Sequence, residues 1–146
     1  MTTPSATPLV EAKGLSKIFH TGGLFRRGRF VQAVRGVDAG VARGEALGVV
    51  GESGSGKSTL GRMMLGLMPA SAGTVSFDGR RLGRPSGRDW RALRRRMQIV
   101  FQDPYGSLDP RRRVGAQIAD GLAIHQVCDA GQRAERVAGL LERVGL

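Results

Sequence analysis

The chain has 146 residues, 40% of them hydrophobic and 5% aromatic, which is enough apolar content for the core of one average domain and too much for a disordered or fibrous protein. Its 23 Lys and Arg against 12 Asp and Glu leave a formal charge of +11, which admits a nucleotide, nucleic acid or anionic lipid as partner without choosing among them. Only Lys13, Lys17 and Lys57 are lysines, and a compositional bias toward Arg, Ala and Gly would give the same skew. The single cysteine, Cys128, excludes an internal disulfide, and no Cys/His cluster has structural-zinc spacing, so a reducing compartment fits. His125 and Cys128, three apart on an amphipathic stretch, read as packing residues and not as half of a metal site. The opening MTTPSATP lacks a signal pattern, and the longest apolar runs, near residues 46–50 and 63–68, are too short to span a bilayer. These features predict a soluble protein, or one held at a membrane through partners.

Residues 1–8, rich in Pro, Ser and Thr, are expected to fray. Residues 9–19 and 31–41 mix β-branched and polar side chains as two antiparallel strands do, joined by the basic loop TGGLFRRGR. Residues 46–50 form an unbroken apolar run bounded by glycine, suited to a parallel strand covered on both faces. Leu60, Met63, Met64 and Leu67 then recur at helical spacing, up to Pro69. Those methionines read as core. Residues 74–77 before Asp78-Gly79 read as a strand entering a tight turn, residues 90–96 as a short basic helix and residues 97–101 as a second buried strand. After Pro110 the pattern is helical, with Val114, Ile118 and Leu122 and then Val137, Leu140, Leu141 and Val144 in register.

The chemistry concentrates in GESGSGKST, made of Gly51, Glu52, Ser53, Gly54, Ser55, Gly56, Lys57, Ser58 and Thr59. It satisfies the phosphate-loop pattern of Gly, four residues, Gly-Lys and Ser or Thr. Glycines let successive N–H groups turn toward one point, and the following helix N-terminus adds partial positive charge. Lys57 can reach terminal phosphates as a mobile point charge, while the Ser58 hydroxyl is placed to ligate a bridging magnesium ion. Gly51 and Gly56 should resist any side chain. A chance match in a chain of this composition has a probability of roughly 1 in 100, and the preceding apolar run and following helix lower it further. The implied ligand is a nucleoside triphosphate. Kinases, helicases, GTPases and transporters all use such a loop, so it does not name the work.

The block IVFQDPYGSLDP, residues 99–110, narrows the field, together with LFRRGRF, GVVGESGSGKSTLGRMMLGL and SAGTVSFDG in the same order. With these motifs, nearly the whole chain resembles the ATP-binding subunit of ATP-binding-cassette (ABC) transporters, more narrowly those energising bacterial oligopeptide and dipeptide importers. The resemblance implies an α/β fold: a P-loop NTPase core of ABC type with an N-terminal antiparallel β subdomain, incomplete at its C-terminus. Residues 9–146 would be the N-terminal part of that nucleotide-binding domain. It implies ATP and Mg2+ as cofactors, with Phe19 as the aromatic that stacks on adenine and Gln102 as the Q-loop glutamine touching the magnesium and the attacking-water region. Stacking on a ring needs no hydroxyl, so a phenylalanine suffices. The implied partners are transmembrane permease subunits, a second ATP-binding subunit and, indirectly, a solute-binding protein, at the cytoplasmic face of the bacterial inner membrane.

The family's signature sequence, the strand ending in a magnesium-binding Asp and catalytic Glu, and the switch histidine have no counterpart among these residues. Glu52 occupies a variable position of the loop and is no general base. The expectation is therefore a fragment or truncated copy that binds ATP without hydrolysing it efficiently, and that exposes apolar surface where parallel strands should pair. A different class stays open, a basic P-loop protein acting on nucleic acid, against which the block at 99–110 argues. The Arg-rich stretch from residue 80 to 113 reads as a solvated face, or as Arg111, Arg112 and Arg113 approaching anionic headgroups or a transporter helix.

Overall fold

The computed structural model describes residues 8–21, 29–83, 87–102 and 105–146. The chain divides into two compact units, Met1–Pro85 and Ser86–Leu146.

The first unit is built on a sheet of β1 (Val10–Thr21), β2 (Arg29–Val41), β3 (Ala72–Phe77) and β4 (Arg80–Arg81), in the order β2-β1-β3-β4 and antiparallel throughout. The two N-terminal strands form where β-branched spacing predicts them, while most of the expected TGGLFRRGR loop lies outside the described residues. β1 is bulged between Ala12 and Leu15 and again before Lys17, so Ala12 and Leu15, three apart, both reach the buried face. Asp38 and Ser16 secure the irregular stretch: the Gly14 N–H donates to Asp38 Oδ1 at 2.6 Å and the Gly36 N–H to Ser16 Oγ at 2.8 Å. β3 turns into β4 through Asp78 and Gly79 with φ of 53° and 74°, the double positive φ of a tight hairpin turn.

Helix α1 (Lys57–Met64) lies against β1 and β2, and its Leu60, Met63 and Met64 close a core with Ala12, Leu15, Val34 and Val75. The methionines are core, as their spacing predicts. The helix stops earlier than Pro69 suggests. Gly66 takes the left-handed conformation at φ 60°, and Leu67 N–H to Arg62 O and Gly66 N–H to Met63 O, both 2.8 Å, cap the last carbonyls. Leu67 therefore falls beyond the helix and stands 44% exposed.

The apolar runs at residues 46–50 and 97–101 are not strands here, a correction to the sequence reading. Val50 and Val100 are 96% and 94% exposed, and only Met97 of the second run is buried. A parallel interior strand has little stability of its own, because its backbone groups need ladder partners on both sides. Among the described residues no strand pairs with either run.

The second unit contains α2 (Gly87–Arg96), a single 3-10 turn (Tyr105–Ser107), α3 (Val114–Ile124) and α4 (Arg133–Glu142). α3 and α4 pack together, with Leu122 and Val137 buried and Gly115 close to the Val137 methyls. The helical spacing after Pro110 forecasts both helices, but Val144 follows α4 and is 71% exposed. α3 ends as α1 does, with Val127 N–H to Leu122 O at 2.9 Å and Gln126 N–H to Ala123 O at 3.1 Å, except that Gln126, at φ 50°, fills the position where glycine is usual. The turn before α3 is fixed by Gln117, whose amide accepts from Asp109 N–H at 2.8 Å and donates to the Asp109 and Arg112 carbonyls at 3.0 and 3.1 Å.

Candidate functional site

Residues 51–56 run as an exposed loop into α1, whose first internal hydrogen bond, Leu60 N–H to Gly56 O at 2.8 Å, leaves the N–H groups of Lys57, Ser58 and Thr59 without an intrahelical acceptor. No acidic residue occupies the first turn of α1, so the positive end of its dipole is uncompensated. Glu52 O accepts from Ser55 N–H at 3.2 Å, folding the loop back on itself. The Lys57 ammonium turns into the loop and donates to Gly51 O at 2.8 Å, Glu52 O at 2.6 Å and Ser55 Oγ at 3.4 Å. A cation is thus held by the loop's own oxygens beside three unpaired N–H groups, with the Ser58 side chain on the exposed side of the helix start. That donor set suits phosphate oxygens and, through the serine hydroxyl, a divalent cation.

The two loop glycines differ in their tolerance of a side chain. Gly56 caps α1 at φ 92° and ψ 3°, and a Cβ there would collide with the Ala33 carbonyl of β2 and meet Val34 Cγ2 at 3.5 Å. At Gly51 the nearest obstacle is the rotatable Ser55 Oγ at 2.8 Å, and the chief objection to a side chain is the φ of 157°, which strains an L residue whatever the space. The seat of the loop against Ala33 is invisible in the sequence, since a backbone carbonyl makes the contact and any residue supplies one.

Phe19 stands on β1 of the same unit, half-buried and paired with Val31 of β2, with the Lys17 ammonium 5.3 Å from its ring centroid. Gln102 belongs to the second unit, in an exposed bend, and Asp103 and Pro104 after it lie outside the described residues. Arg111 pairs with Asp109 at 3.2 Å and Arg112 with Asp120 at 2.7 Å, and both arginines stay on a solvated face. The Arg111 bonds, side chain first and then backbone, together with the Arg112 charge, hold the Asp109 carboxyl below its ordinary range. Among the described residues no three His, Cys, Asp or Glu side chains converge, and no helix is long and apolar enough to cross a membrane.

Comparison with known proteins fits a loop of this construction. A family model described as ABC transporter matches residues 34–146, most of the chain. The chain belongs to the ABC transporter family. It is 42% identical over 140 residues to a protein of Brucella ovis named for peptide import and ATP binding, covering 96% of this chain and 43% of that one. It is 45% identical over 143 residues to the glutathione import ATP-binding protein GsiA of Pectobacterium atrosepticum, covering 97% of this chain and 23% of the relative. The chain thus spans less than half the length of these relatives. In fold it is similar to the ATP-binding cassette MJ0796 in a dimeric post-hydrolysis state bound to ADP and Pi, with a TM-score of 0.72 at 22% identity over 91% of this chain and 56% of that one. It also resembles cbiO1 of Clostridium perfringens, part of an ABC transporter complex, with a TM-score of 0.67 at 26% identity over 95% of this chain and 51% of that one. The architecture is that of an ABC-type cassette, as the motifs imply.

Proposed function

We propose that this chain is the nucleotide-cradling part of the ATP-binding subunit of an ABC importer. The observation that carries the reading is the Lys57 ammonium held at the mouth of a loop whose helix begins with three unpaired N–H groups. In this reading Gly51, Glu52, Ser53, Gly54, Ser55, Gly56, Lys57, Ser58 and Thr59 wrap the phosphates of ATP, and Ser58 would hold a Mg2+ ion. By the family resemblance Phe19 would stack on the adenine, and Gln102 would be the glutamine that contacts magnesium and the attacking water. The magnesium, when bound, neutralises charge on the phosphates. Lys57 leaves the Gly51 and Glu52 carbonyls for a terminal phosphate, a shift that a flexible four-carbon stem permits.

Hydrolysis needs a group that positions water and charge opposite the γ-phosphate, and the residues present supply only the cradle. The chain accordingly binds ATP without turning it over efficiently. Residues 9–146 form the nucleotide-binding domain's N-terminal part. The names of the relatives support peptides or similar small solutes as cargo. Partners are then transmembrane permease subunits, a second ATP-binding subunit and, indirectly, a solute-binding protein, at the cytoplasmic face of the inner membrane.

The test is thermal unfolding with and without MgATP. A ligand selective for the folded state stabilises it by RT ln(1 + [L]/Kd), about 2.7 kcal/mol at a hundredfold excess over Kd, which raises Tm by several degrees. Lys57→Ala abolishes the rise. An equal rise in Lys57→Ala refutes the phosphate cradle.

A further inference from the structure

The net positive charge of the second unit falls on one helix. α2 (Gly87–Arg96) carries five arginines against Asp89, a net +4, whereas beyond Arg96 six arginines are balanced in number by six Asp and Glu residues. Arg111 and Arg112 are among those neutralised, in ion pairs with Asp109 and Asp120. At 100° per residue the helix separates into two faces. Trp90, Leu93 and Met97 share one, half-buried at Trp90 and Leu93 and buried at Met97. Arg91 and Arg95, one turn apart, share the other, both exposed. Among the described residues no carboxylate pairs with either. The Arg94 guanidinium lies 4.9 Å from the Trp90 ring centroid, fixing the flank of the helix.

We propose that the Arg91–Arg95 face of α2 is a docking surface for an anionic phospholipid membrane, which it meets by charge and not by insertion. Trp90 and Leu93 are half-buried and Met97 is buried, so the apolar face of the helix offers little to bury among acyl chains. What remains outward is a row of guanidinium groups, each matched in charge and hydrogen-bond geometry to a headgroup phosphate. Concentrating the charge on one helix matters, because attraction to an anionic surface decays within a Debye length of about 8–10 Å and a dispersed charge of the same size would be screened. The choice of lipid over other polyanions rests on the transporter reading, which brings the chain to a membrane.

The experiment is co-sedimentation of the 146-residue chain with vesicles of phosphatidylglycerol and phosphatidylcholine in about equal parts, against phosphatidylcholine alone. Binding to the mixed vesicles only, weakening with salt, is expected. Arg91→Gln/Arg95→Gln lowers the partition coefficient at least about tenfold, since each basic contact near the surface changes it severalfold. Arg136→Gln/Arg143→Gln removes the same formal charge from exposed positions on and just after α4 and changes binding no more than about twofold. Arg91→Lys/Arg95→Lys keeps the charge and retains binding, which separates loss of contact from loss of fold. Equal loss in the Arg136/Arg143 variant, wild-type binding by the Arg91/Arg95 variant, or tighter binding to duplex DNA than to mixed vesicles overturns the proposal. Retained MgATP stabilisation alongside any of these leaves the nucleotide reading standing while this one falls.

Discussion

Gly56→Ala is the substitution that tests most directly how the phosphate loop is seated. The residue sits at φ 92° and ψ 3°, where an L side chain costs about 1–2 kcal/mol by backbone strain alone. Its Cβ would also press into the Ala33 carbonyl of β2, a backbone atom that moves only with the strand, and overpacking of that kind costs roughly another 1–3 kcal/mol. Gly54 provides the internal control, because it has φ 81° but open space where a Cβ would stand, so Gly54→Ala bears the strain without the collision. Urea unfolding followed by circular dichroism should lower the midpoint by about 1 M for Gly54→Ala and by about 1–3 M for Gly56→Ala, taking a slope of roughly 1–2 kcal/mol/M for a unit of this size. At the upper end Gly56→Ala removes much of the ~5 kcal/mol that holds a marginal domain together. Midpoints that fall equally in the two variants refute the collision with Ala33, and a Gly56→Ala midpoint equal to wild type refutes the left-handed cap itself.

Gln126→Gly should raise stability by roughly 0.5–1 kcal/mol, because glycine meets the φ of 50° at the end of α3 without steric cost; a lower urea midpoint refutes the cap geometry. At Asp109 the folded carboxyl ionises below its ordinary value near 3.8, so its contribution is complete above that value and is lost as pH falls through the lower, folded one. A carbon-detected NMR titration should find the Asp109 midpoint below 3.8 and shifted upward in Arg111→Ala, whose side chain supplies the largest stabilisation of the carboxylate. A midpoint that Arg111→Ala leaves unmoved refutes the ion pair.

The glycine-rich loop leading into α1, the core role of Met63 and Met64, the hairpin turn at Asp78-Gly79 and the helices after Pro110 were all legible from residue types and spacing. Each depends on interactions within a few residues: left-handed glycine, period-3.6 apolar contacts, or a two-residue turn. The apolar runs at 46–50 and 97–101 show where that reasoning stops. Their composition reads as interior strands and the structure overturns that reading, because strand formation is decided by hydrogen bonds to segments distant in sequence, and among the described residues nothing pairs with them. Composition set the charge at +11 without a location. Only the folded second unit separates arginines held in local ion pairs, Arg111 and Arg112, from Arg91 and Arg95, which no described carboxylate reaches, because pairing depends on which carboxylate the chain brings within 4 Å. Likewise the loop motif names Gly56, but the carbonyl that makes glycine obligatory there comes from Ala33, a backbone atom whose position only the tertiary fold assigns.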